Sequence, residues 1–126
     1  MDMRTPLAKV RGLGSAKEGA NHFWVQRLTA IANFFLALFL IGLIARLVGA
    51  DYNTVKATLA LPPVSLLMLL FIVSGTIHMR LGMQTIIEDY VHSEGWKIAA
   101  LISNTFFAIL VALTSVFSVL KLSFGV

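Results

Sequence analysis

Hydrophobic and polar positions along this chain fall into long blocks instead of alternating. Leu28 to Ala45 is eighteen residues without a charge, closed by Arg27 and Arg46. At about 1.5 Å per residue this nearly matches a hydrocarbon core of roughly 30 Å, and flanking residues complete the span. A second apolar block begins near Leu59 and stays uncharged up to Arg80, with His78 near its end. Pro62 and Pro63 fall in its first turn, where a missing amide donor does little harm. The apolar pattern continues through Leu81, Met83, Ile86 and Ile87 and stops at Glu88-Asp89-Tyr90. A third block, Ile98 to Leu120, runs twenty-three residues between Lys97 and Lys121. The pattern predicts an all-α membrane protein. Its three transmembrane helices are expected at about 24–48, 60–90 and 96–121, after a polar tail over residues 1–23 and with only a short C-terminal extension.

Composition agrees. The chain is 58% hydrophobic and 13% charged, with a mean hydropathy of +0.86, whereas soluble domains carry about 25% charged residues. A net charge of +4 could suggest nucleic acid. The basic residues instead cluster beside the apolar blocks, and no basic face is interleaved with aromatics, which excludes that class. Cysteine is absent, so this chain cannot itself build disulfides, thiolate metal sites or Cys-ligated iron–sulfur clusters. Of the ten Lys and Arg, seven fall on the side of the N-terminus and the second loop, against Arg46, Lys56 and Lys121 on the other. That asymmetry predicts a cytoplasmic N-terminus. Trp24 and Trp96 suit the headgroup level, as does the snorkelling side chain of Arg27. The N-terminal tail has no apolar core followed by a cleavage site and does not read as a signal peptide. It is either a flexible basic tail or, over Gly14 to Gly19, a packing segment for a partner.

His78 is the most informative residue. An ionisable side chain in a membrane helix is costly and normally faces protein, water or a cofactor. Gly75 and Gly82 share its face and would leave a flat slot beside it that suits a porphyrin ring. The alternative is close helix packing with His78 hydrogen-bonded across the interface. If His78 binds haem iron, His22, expected ahead of the first helix, and His92 are poor candidates for a second ligand, which would then come from another subunit. Asp89 and Tyr90 pair a carboxylate with a phenol at the interface, a pair that could hold a quinone carbonyl and manage its protons or could simply mark the headgroup region. Arg27 could meet a haem propionate or a lipid phosphate. Arg80 is expected to snorkel or meet a carboxylate, Asn33 to bond across helices, and Met79 and Met83 to serve packing.

The stretch His78-Met-Arg-Leu-Gly-Met-Gln-Thr-Ile-Ile-Glu-Asp-Tyr90 resembles the second-helix signature of the succinate dehydrogenase hydrophobic membrane anchor family. His78, Gly82, Met83, Asp89 and Tyr90 all match it. Gly14-Ser15 with His22-Phe-Trp-Val-Gln-Arg-Leu-Thr-Ala30 resembles the family's entry into its first helix. The resemblance implies half of a heterodimeric helix bundle in a bacterial inner membrane, paired with a cytochrome b556 subunit. That pair would hold a flavoprotein with FAD and an iron–sulfur subunit. The resemblance further implies that His78 is one axial ligand of a shared haem b, that Tyr90 hydrogen-bonds ubiquinone with Asp89 in support, and that Arg27 lies near the haem propionates and quinone. Two rivals are a haem-free anchor of a fumarate reductase or another respiratory complex, and a small transporter or channel subunit. The absence of charge from the first and third blocks speaks against the latter.

Overall fold

A computed structural model describes residues 5–12 and 17–125. Gly14 and Ser15 of the sequence motifs lie outside them. The elements are α1 (Pro6–Val10), α2 (Lys17–Leu47), α3 (Tyr52–Ala60), α4 (Pro62–Tyr90) and α5 (Glu94–Phe124), and among the described residues there is no strand. Three helices, α2, α4 and α5, are long and apolar enough to cross a membrane.

Two boundaries differ from expectation. α2 begins at Lys17, well ahead of the apolar block, so part of the expected tail is helical. The segment from Lys17 to Phe23 contains no proline, and a helix already nucleated over its apolar block propagates through it at little further cost. The second difference is α3. The apolar block that starts near Leu59 is divided, because Leu61 is extended at φ −62° and ψ 130°. A residue preceding proline is driven out of the helical region, and Pro62 and Pro63 then open α4. Asp51 caps α3 and accepts a hydrogen bond from the Thr54 hydroxyl, which holds its carboxyl below the usual value. Gly49, at φ +79°, supplies the left-handed turn that ends α2.

α4 packs between α2 and α5, antiparallel to both. These contacts are made by small and polar side chains. Ser123 donates to Ser65 at 2.7 Å, Asn104 donates its amide to the Arg80 carbonyl at 2.9 Å, and Ala108 is buried at 4% exposure. Membrane helices associate this way, since lipid removes the hydrophobic drive that would bring large side chains together. No described side chain is fully buried, and Phe34, Phe35, Phe106 and Phe117 all point outward. Three helices with so little interior present their apolar surface to lipid or to further membrane helices.

Candidate functional site

The polar residues of α2 are not scattered. His22, Gln26, Thr29 and Asn33 recur at spacings of four, three and four, which places them in one stripe along the helix. This stripe faces Ser74, His78, Gly82 and Thr85 of α4. The register is set by three contacts. Ser74 Oγ donates to the Thr29 carbonyl at 3.4 Å, Thr29 Oγ1 lies 3.1 Å from His78 Nδ1, and a Cβ on Gly82 would sit 3.4 Å from Gln26 Nε2. A groove of about 430 Å³ opens along this seam, lined by His22, Gln26, Arg27 and Ala30 from α2 and by His78 and Thr85 from α4.

Several polar atoms on the seam have no partner. His22 Nε2, Gln26 Oε1 and Asn33 Oδ1 are buried without a hydrogen bond. Each such atom costs on the order of 1–3 kcal/mol unless something satisfies it. All three belong to the polar stripe of α2, so the unpaired groups are concentrated on one face of that helix. Asn33 therefore does not complete, through Oδ1, the cross-helix bond expected of it.

His78 is half-buried, and its Nδ1 meets Thr29. Arg27 lines the same groove, its guanidinium 5.0 Å from the centre of the Phe23 ring. The register puts Arg27 between the levels of Gly82 and His78, well below the end of α4, so it stands with the histidine instead of with Tyr90. Tyr90 closes α4 and is 76% exposed, and Asp89 beside it is exposed too. Glu88 is engaged separately, accepting from Gln84 Nε2 at 2.8 Å. Arg80 turns to α5, where its Nε reaches the Thr105 hydroxyl at 3.4 Å instead of a carboxylate. Met79 and Met83 line an apolar hollow against Phe107 and Ala100 of α5, away from the His78 groove.

His22 requires a correction. Expected ahead of the first helix, it lies inside α2 and lines the groove that contains His78. The expectation equated the helix with its apolar block. The four-three-four polar stripe was the signal that could have found it.

Among the described residues no three His, Cys, Asp or Glu side chains gather as they would around a metal ion. A lone histidine suits a group that brings its own equatorial ligands, as a porphyrin does. The residues present fit haem in a further respect: a histidine and an arginine line one open groove.

Comparison with known proteins gives the family of the chain. The family model described as succinate dehydrogenase/fumarate reductase transmembrane subunit matches residues 1–118. The chain belongs to that family. It is 30% identical over 121 residues to the succinate dehydrogenase hydrophobic membrane anchor subunit of Paracoccus denitrificans, covering 96% of this chain and 93% of the relative. The protein of the same name from Rickettsia bellii (strain RML369-C) is 31% identical over 109 residues, covering 86% of this chain and 87% of its own. The succinate dehydrogenase membrane anchor subunit of Reclinomonas americana is 35% identical over 88 residues, 68% of this chain and 73% of the relative. No solved structure gives a significant match.

Within this succinate dehydrogenase/fumarate reductase subunit the two glycines differ. Gly82 abuts the Gln26 amide, whereas a Cβ on Gly75 would meet nothing of this chain within 4 Å. Gly75→Ala should therefore fold normally, and the better helix former can add up to about 1 kcal/mol of helix stability. If the purified membrane complex holds haem, a fall in its content at unchanged subunit content would show that haem occupies the space beside Gly75. Unchanged haem content would remove Gly75 from the site.

Proposed function

We propose that this chain is the membrane anchor subunit of a succinate dehydrogenase. In this reading it supplies His78 as one axial ligand of a haem b shared with a cytochrome b556 subunit, and Tyr90 with Asp89 as its part of a ubiquinone-reduction site. The observation that carries the reading is His78 itself. In a chain of this family it stands half-buried on the α2–α4 seam, in a groove with Arg27 and the unpartnered atoms of His22 and Gln26.

Each residue has a defined task. His78 would hold the haem iron together with a residue of the partner subunit. Arg27 would hold the haem propionates, its fixed positive charge suited to a carboxylate. Gly75 keeps the helix face thin beside the histidine, and Gly82 admits the Gln26 amide of α2. A haem bound there supplies one-electron redox capacity close to the quinone. At the exposed end of α4 the Tyr90 hydroxyl donates a hydrogen bond to a ubiquinone carbonyl oxygen, and Asp89 supports it and can relay a proton. Succinate oxidation, FAD and the iron–sulfur clusters belong to the flavoprotein and iron–sulfur subunits. Seven of ten basic residues on one side orient the N-terminus and the α4–α5 loop to the cytoplasm of a bacterial inner membrane. Those two subunits dock on that face, where α4 ends in Tyr90.

A haem-free anchor, of fumarate reductase type or from another respiratory complex, has one observation in its favour. The Thr29 contact already gives His78 a cross-helix partner. The test is to purify the complex from its own membrane through a tag on this chain. Co-purification of flavin, iron–sulfur and b-type haem, with succinate-driven ubiquinone reduction, is the expected result. A complex that oxidises succinate without visible haem bands would establish the haem-free reading. Absence of flavin and iron–sulfur subunits would overturn both.

A further inference from the structure

We infer that Thr29 is a positioning residue for His78: it accepts the Nδ1 proton of the imidazole and thereby leaves Nε2 as the nitrogen free to bind iron. The inference rests on the reading of His78 as a haem ligand and adds the group that prepares it.

The assignment follows from counting protons. Thr29 Oγ1 has three neighbours: the Val25 carbonyl at 2.7 Å, the Gln26 carbonyl at 3.2 Å and His78 Nδ1 at 3.1 Å. A hydroxyl has one proton and two lone pairs. Both carbonyl oxygens are acceptors only, and the shorter contact is the back-bond to the fourth preceding residue that threonine commonly makes in helices. The hydroxyl proton goes to Val25. The oxygen then meets Nδ1 through a lone pair, so Nδ1 carries the hydrogen. In a neutral imidazole the other nitrogen is then bare, and Nε2 is turned away from Thr29.

The contact is also held in place. Thr29 sits where α2 and α4 are joined a second time, its carbonyl accepting from the buried Ser74 hydroxyl at 3.4 Å. Rotation or sliding of either helix would break both contacts together. A ligating histidine whose second nitrogen donates to a fixed acceptor is oriented and made more basic, and a more basic ligand favours the ferric over the ferrous state. Loss of the acceptor should therefore raise the haem reduction potential.

The test compares Thr29→Val, Thr29→Ala and Thr29→Ser in the whole membrane complex, by redox titration of the haem band and by the low-spin ferric haem spectrum. Losing an outer-shell partner typically weakens metal binding about 10–100-fold. A tenfold loss borne by the ferric state alone shifts a one-electron potential by about 59 mV. The expected result is an upward shift of that order in the valine and alanine variants and a potential near wild type in serine, which keeps the oxygen. A wild-type potential in either hydroxyl-free variant would overturn the inference. So would failure of both to assemble while serine assembles, because the hydroxyl would then be serving the helix contact. His78→Ala separates this from the underlying reading: an unchanged haem spectrum there removes the ligand assignment itself, whatever Thr29 does.

Discussion

Replacing His78 by alanine is expected to abolish or displace the b-type α-band in a reduced-minus-oxidised spectrum of the membrane complex. The loss should exceed the roughly 10–100-fold weakening that follows removal of an outer-shell partner, because a bond to iron is lost outright. The variant should still assemble. His78 is half-buried, and the Thr29 hydroxyl keeps its bond to the Val25 carbonyl without it. Flavin and subunit content should therefore be normal, which separates loss of ligation from loss of the complex. His22→Ala belongs in the same experiment, because both histidines line one groove. A band of normal position and shape in His22→Ala places the second axial ligand outside this chain. Loss of the band in His22→Ala and not in His78→Ala would exchange the roles of the two residues.

The parts of the fold that were legible in the sequence are those fixed by a block of uncharged residues. Nothing else keeps eighteen to twenty-three uncharged residues together as Leu28–Ala45 and Ile98–Leu120 do, and an unbroken helix satisfies every backbone group that lipid cannot. α3 was not legible because Tyr52–Ala60 mixes Asn53, Thr54 and Lys56 with apolar residues and lacks any block. The start of α2 was missed for a related reason. The apolar block marks where the bilayer is, and the helix has no obligation to stop there.

The candidate site divides along the same line. His78 was conspicuous because a histidine in an apolar block is costly. Its neighbours were harder to see. Thr29, Gln26 and His22 become a site only when the α2–α4 register is known, since each is an ordinary residue in isolation and their stripe acquires meaning from Ser74, His78 and Gly82 opposite. Register in antiparallel helices is fixed by pairs of small and polar side chains distant in sequence, and one chain read end to end does not display those pairs. Arg27 shows the consequence: the sequence left it between propionate and quinone, and the register sets it at the level of His78.

Tyr90→Phe is expected to slow ubiquinone reduction by roughly 10–100-fold. The substitution removes one hydroxyl from a side chain that is 76% exposed, so it should change folding stability by no more than about 0.5 kcal/mol. What it takes from the reaction is larger. A hydrogen bond to an oxygen that gains charge as the quinone is reduced is worth about 1.5–3 kcal/mol, the energy range that corresponds to that rate loss. Because the bond strengthens as charge develops, the effect should fall mainly on kcat, with KM for ubiquinone little changed. Two controls must stay constant. Succinate oxidation by an artificial acceptor at the flavoprotein bypasses Tyr90. The haem band should also be unmoved, because twelve helical residues at about 1.5 Å each separate Tyr90 from His78 by roughly 18 Å. A wild-type quinone reductase rate would remove Tyr90 from the site. A loss shared by the artificial acceptor would mean that the end of α4 matters for docking the catalytic subunits and not for holding quinone.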